Sequence, residues 1–266
     1  MQTYLIMKMP ISKDPDEGNN SNSSFFICLS RYDNLFLFGG MDYKAPVADI
    51  AKEAAPFHDI TPLWVLEMGD GFDGRLDFGR TETGTRAGFD DLAYSYQEVE
   101  NVSAYWKGKV NTVPITGKRA IEERFKYLAM SAHPEEKNIF HIATHSFTRE
   151  PEYSFGLSRE ELAFKADGLL FSGAGHSINK ERLPGGLNDG LLFGEEVARL
   201  DLRSADLVVL SACNTAKGDD TLDGILGIQR AFKRAGAGTI IMTLWKVNDK
   251  ATMRFMDLFY GRLSEG

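Results

Sequence analysis

Strands alternating with helices along the 266 residues predict an α/β fold, a mostly parallel sheet with helices on both faces. Three observations carry that expectation. Residues 138–144, 206–210 and 239–244 are short, mostly apolar runs, as strands covered on both faces require. Residues 223–235 place Ile225, Ile228 and Phe232 at intervals of three and four, the spacing of a helix face. The hydrophobic share of 43% and charged share of 26% are those of a globular chain with a sizeable core, and they exclude wholesale disorder.

Taken in order, residues 1–24 read as a short N-terminal segment and flexible linker, since 13–24 hold no apolar residue. Residues 25–266 read as one domain. Strand-like runs at 25–29 and 35–38 follow, the second ending on Gly39-Gly40. Residues 69–91 are Gly- and Asp-rich and predict an irregular excursion. A helix is predicted over 92–107 from Leu92, Tyr96, Val99 and Tyr105 or Trp106. A strand at 110–113 should stop at Pro114, and Thr116 or Gly117 should open a helix carrying Ile121, Phe125 and Leu128. After the strand at 138–144, residues 147–193 read as a long polar stretch broken by an apolar run at 168–171. A short helix at 195–200 precedes the strand at 206–210. Gly236-Ala237-Gly238 stops the helix of 223–235, and the last helix spans 249–262.

The net charge of −8 argues against a dedicated nucleic-acid binder, which needs a basic face. No apolar run approaches the roughly 18 residues of a spanning helix, so no membrane partner is expected. Residues 1–9 lack a basic segment followed by an apolar one, so no secretory signal is expected. Cys28 and Cys213 cannot build a disulfide framework, and the expected compartment is the cytoplasm.

Working groups of open α/β sheets gather at the carboxyl ends of the strands. His145 follows the strand 138–144 and Cys213 follows the strand 206–210. If these strands are neighbours, imidazole and thiol face each other, and the base can generate the attacking thiolate. By itself the pairing is a weak signal, because a buried cysteine is commonly a small hydrophobe.

The residues around both groups add a resemblance. His141-Ile-Ala-Thr-His145-Ser-Phe147 resembles the histidine motif of the CHAT domain, and Leu207-Val-Val-Leu-Ser-Ala-Cys-Asn-Thr215 its cysteine motif. Asp189-Gly-Leu-Leu, Leu200-Asp-Leu, Gly227-Ile-Gln-Arg-Ala-Phe232 and Thr243-Leu-Trp-Lys-Val-Asn-Asp249 are further matches. Gly39-Gly-Met-Asp-Tyr43 and the helix around Gln97-Glu98-Val99-Glu100 are similar to weaker entry motifs. The resemblance implies a three-layer caspase-like α/β/α sandwich and a cysteine endopeptidase with His145 and Cys213 as its dyad. It also implies an oxyanion site made by the backbone N–H groups of Ser146 and Cys213. No cofactor is implied. Its partners would be a protein or peptide substrate and an activating partner or attached sensor, in regulated proteolysis such as bacterial defence or cell death.

Ser146 stands where the family usually has glycine, and Ala216 where glycine follows the cysteine motif. Relatives also continue into another helix and a closing strand. The expectation is a C-terminally incomplete domain whose strand 239–244 or its neighbour leaves an exposed edge for self-association. A catalytically inactive protein-interaction module is the alternative. A nucleotide switch would rest on scattered glycines, none in a Gly-x-Gly-x-x-Gly run.

Separase-like relatives receive a basic side chain on acidic loop residues. That resemblance nominates Asp249 first and Asp219 second, beside Asp220 and Asp223, although Asp223 and Asp249 also suit helix starts. His141 and His145 are four apart but lie in a strand-like run, so His141 reads as a core or supporting histidine and no metal site is expected. His58, His133 and His176 read as solvated, Cys28 as an inert buried thiol, and Arg230, Lys233 and Arg234 as a solvated helix face. Residues 172–190 read as a mobile surface loop or, more sharply, an activation or substrate loop.

Overall fold

The computed structural model describes residues 4–6, 32–57, 76–77, 92–149, 156–181, 183–212, 223–242 and 249–265. The expected strand at 25–29 and Cys28 and His58 lie outside these residues. β1 (Tyr4–Ile6) is followed by β2 (Asn34–Gly39), which is buried from Leu35 onward, as a central parallel strand must be. α1 (Val47–Ala54) and the two-residue β3 (Leu76–Asp77) lead to α2 (Ser95–Trp106), which buries Val99, Val102 and Trp106 on one face. β4 (Asn111–Thr116) runs through Pro114 instead of stopping there. It pairs only with β2 among the described strands, so the donor that proline lacks is not needed by a second neighbour. A 3-10 turn (Gly117–Arg119) then delays α3 (Glu122–Ser131), which begins later than Thr116 or Gly117.

β5 (Asn138–Ala143) is buried throughout. The polar stretch beyond it contains more order than its sequence advertises. It holds β6 (Ser146–Arg149), α4 (Arg159–Ala166), β7 (Asp167–Leu170), α5 (Ala174–Ile178) and β8 (Leu191–Phe193). Strands of three or four residues are too short to show a period, but α4 has a readable start: Ser158 Oγ accepts the Glu161 N–H, and Glu161 accepts the Ser158 N–H. α6 (Gly194–Val197), β9 (Ala205–Ser211), α7 (Asp223–Arg234), β10 (Thr239–Met242) and α8 (Asp249–Glu265) complete the order. Gly236, at φ +105°, stops α7 as expected; the Ala237 N–H donates to Phe232 O.

The main sheet has the order β1-β10-β9-β5-β2-β4, every pair parallel, and a second, antiparallel sheet has the order β3-β6-β7-β8. β10 is covered, because Tyr4–Ile6 of β1 stand opposite Ile240 to Met242, and among the described strands β1, its neighbour, forms that margin of the sheet. The N-terminal apolar piece thus supplies hydrogen-bond partners that the sequence reading sought beyond the last helix. Alternation divides the main sheet between two cores. Phe36, Phe38, Phe140, Ile142, Val208 and Leu210 pack toward Phe125 of α3 and Phe232 of α7. Leu35, Leu37, Ile139, Leu207 and Val209 pack toward Val99 and Trp106 of α2 and Met256 and Tyr260 of α8. Among the described residues no helix is long and apolar enough to cross a membrane.

The stretch 172–190 is tied down at both ends, over 172–178 and 187–190, while 179–181 and 184–186 are exposed. Lys126 of α3, fully buried, meets Glu122 Oε1 at 2.5 Å, Glu196 Oε1 at 2.8 Å and Asn188 Oδ1 at 2.6 Å. The Gly190 N–H donates to Glu122 Oε2 and the Asn188 N–H to Glu123 Oε1. Burial pushes Glu122 and Glu196 up to about 7 against the pull of Lys126, whose own pKa is raised because its two carboxylates outweigh its desolvation. His176, expected to be solvated, is likewise engaged: Nε2 lies 2.8 Å from Ala45 O and Nδ1 2.6 Å from Glu181 Oε2. His133 is exposed. In the α7 basic cluster Arg230 and Arg234 are exposed, Arg234 lying over the Phe164 ring, and half-buried Lys233 donates to Ala237 O at 3.2 Å.

Candidate active site

β5 and β9 lie side by side and run parallel, with Ala143 level with Ser211. His145 and Cys213 are each two residues beyond that pair in the chain. The neighbouring-strand condition set by the sequence is therefore met. Cys213 and Asp219 themselves lie outside the described residues, as do Asp220 and Ala216, and only the backbone of Asp223 is described, at the start of α7.

His145 is half-buried between the two sheets, and its peptide is held from both sides. Its carbonyl accepts the Leu170 N–H at 3.0 Å, and its N–H donates to the Tyr43 hydroxyl at 3.4 Å. The Tyr43 and His145 rings also meet, centroids 5.5 Å apart at 41°. Tyr43 Oη lies 3.0 Å from Thr144 Oγ1, which is 2.5 Å from Leu170 O. Donor bookkeeping sets the direction. Thr144 has one hydroxyl proton and a carbonyl can only accept, so Thr144 donates to Leu170 O and Tyr43 donates to Thr144. Ser146 opens β6, half-buried and in register with Leu169.

Beneath the site, His141 on β5 is fully buried, consistent with the supporting role its sequence suggested. Its Nε2 comes within 2.9 Å of Glu98 Oε1 of α2, a close contact outside hydrogen-bond alignment, and its Nδ1 lies 3.2 Å from Tyr260 Oη of α8. Burial, with Glu98 nearby, holds Tyr260 well above the usual phenol range, so it keeps its proton. Asp249, half-buried at the start of α8, accepts the Tyr94 N–H on Oδ2 at 2.9 Å and so caps α2, a neighbouring helix. Desolvation chiefly raises its carboxyl pKa; the Tyr94 N–H opposes the shift, Glu98 adds to it and the nearness of His145 lowers it. Asp249 and His145 thus lie within electrostatic reach of each other.

In the sequence Tyr43 and Glu98 belong to weak motifs and Thr144 to the histidine motif, and no local signal gives any of them a role. Only their tertiary contacts distinguish them. Among the described residues no group of three or more His, Cys, Asp or Glu is arranged to hold a metal.

The family model of the CHAT domain matches residues 18–266. The chain belongs to the CHAT domain family. A CHAT domain is a caspase-like, cysteine-peptidase type of domain, and the α/β layers described above are those of such a sandwich. The chain is 44% identical over 68 residues to tetratricopeptide repeat protein 28 of Mus musculus, which covers 25% of this CHAT chain and 3% of that protein. It is 35% identical over 80 residues to tetratricopeptide repeat protein 28 of Homo sapiens, 30% of this chain and 3% of that one. The matched segment is thus a small fraction of each relative's length. No solved structure gives a significant match.

Proposed function

We propose that this CHAT domain is a cysteine endopeptidase in which His145 and Cys213 form the dyad. The observation that carries the reading is the parallel β5–β9 pair, with Ala143 level with Ser211, so that both motif residues follow at equal chain distance at the carboxyl margin. His145 takes the proton of the Cys213 thiol, and the thiolate adds to the peptide carbonyl carbon. The N–H groups of Ser146 and Cys213 receive the oxyanion. The C–N bond then breaks, the imidazolium protonates the leaving amine, and water activated by His145 hydrolyses the thioester.

Asp249 is the primary acidic group for a basic side chain before the scissile bond, with Asp219 second. Its partial burial and its closeness to His145 support this, and the Tyr94 bond leaves acceptor capacity on a carboxylate that has about four lone-pair sites. The domain would act in the cytoplasm in regulated proteolysis. The repeats in the names of its relatives are consistent with gating by an attached sensor or protein partner. Ser146 favours a second reading, a protein-interaction module that does not cut, because a side chain replaces the glycine usual beside the oxyanion.

One assay separates the two. Cys213→Ala and His145→Ala are each expected to abolish cleavage of a peptide library without unfolding the chain, and the double variant to be little worse. Cleavage retained in Cys213→Ala overturns the assignment. Asp249→Ala is expected to remove a preference for arginine or lysine; an unchanged preference rejects the pocket.

A further inference from the structure

We propose that Tyr43 is a positioning residue for His145, and that residues 172–176 hold Tyr43 in place for that task. The geometry runs in one direction. The His145 N–H donates to Tyr43 Oη, Tyr43 donates to Thr144 Oγ1, and Thr144 donates to Leu170 O, while the Leu170 N–H returns to the His145 carbonyl. The loop thus closes on the peptide of the very histidine at the site. The ring contact adds a second constraint, on the imidazole itself.

Tyr43 is 1% exposed, so its hydroxyl has exchanged water for these partners, and a phenylalanine there would leave the His145 N–H without its phenol acceptor. A side chain needed only for bulk would not carry a directed chain of this kind. Its backbone is clamped in turn. Asp42 O accepts the Gly173 N–H at 3.0 Å, Tyr43 O the Gly175 N–H at 2.9 Å and Ala45 O the His176 Nε2–H at 2.8 Å, and the Asp42 N–H donates to Ser172 Oγ at 3.0 Å. Ser172 Oγ donates onward to Gly117 O at 2.9 Å. Residues 172–176 therefore reach the site through Tyr43.

The consequence for turnover rests on the peptidase reading; the positioning does not. The test compares the full chain as wild type, Tyr43→Phe, Thr144→Val and, as a control, Tyr105→Phe, which loses only an exposed bond to Asp257. Two readouts are taken: the His145 ring signals of histidine-labelled protein across pH, and the pH-dependent alkylation rate of Cys213. Tyr43→Phe and Thr144→Val are expected to move the His145 ring signals and their titration midpoint, with Tyr105→Phe silent. Alkylation should slow by about tenfold, and where peptides are cleaved kcat should fall about as much with KM near wild type, because a small displacement of a base is costly. His145 signals and midpoint unchanged in both Tyr43→Phe and Thr144→Val overturn the proposal. A wild type that neither cleaves peptides nor alkylates selectively, with His145 still shifted by Tyr43→Phe, rejects the peptidase and leaves the positioning standing.

Discussion

A buried charge is tolerated only while its partners stay, and the chain places one such charge at the centre of α3. Lys126 is 0% exposed, with Glu122, Glu196 and Asn188 arrayed around its ammonium. Lys126→Met is expected to lower unfolding free energy by ~3 kcal/mol or more, because two carboxylates then remain in the core without a cation. Urea denaturation measures this. Lys126→Met combined with Glu196→Gln should recover part of the loss, since the second change removes one of the stranded acids. Glu122 also accepts the Gly190 N–H, and its neighbour Glu123 the Asn188 N–H, so the loss should also loosen the 187–190 segment from α3, which hydrogen exchange at those amides would report.

Between elements, β2 approaches α2 closely near the site. A Cβ at Gly39 would stand 2.6 Å from Val99 Cγ2 and 2.7 Å from the Ser95 carbonyl oxygen. The carbonyl belongs to backbone and cannot swing aside. Gly39→Ala is therefore expected to cost about 1–3 kcal/mol and to push the start of α2 outward, a thermal melt giving the first and crystallography the second. Ser95 Oγ also accepts the Gly40 N–H, and Tyr94 donates to Asp249, so the displacement should reach the proposed substrate-binding carboxylate. Gly39-Gly40 was legible in the sequence as the end of a strand. That it ends against a helix was not, because nothing in the local pattern says which helix will lie on it.

Taken whole, the molecule holds acids that favour the proton when folded. Burial raises Glu122, Glu196 and Asp167 to about 7, and His176 is raised chiefly by Glu181. A group whose folded pKa exceeds its unfolded one lends its stability below the unfolded value and loses it as pH rises through the folded value. All four shifts carry that sign. Thermal stability is expected to fall as pH is raised from about 4.5 to about 7, since across that range the folded chain retains protons that the unfolded chain has released. Melts across this range check the direction. Glu196→Gln should flatten the slope, and a melting temperature that rises with pH would reject the account.

The main sheet was readable because central parallel strands are apolar on both faces, so 138–144 and 206–210 announce themselves, and their ends nominate His145 and Cys213. The amphipathic spacing of Ile228 and Phe232 likewise identifies α7, whose tertiary face is the one predicted. The second sheet was not readable: β6, β7 and β8 have three or four residues each and gain their order from one another. Nor could the sequence say that Tyr4–Ile6 would lie beside β10, or that Asp249 would cap a helix more than a hundred residues earlier, since neither partner leaves a local mark. Chain order and side-chain type set the elements and the chemistry available at their ends. Which of those ends meet, and which hydroxyl touches His145, was decided by packing between residues distant in sequence, where Tyr43 and Thr144 meet because β2 and β5 are neighbours in the main sheet.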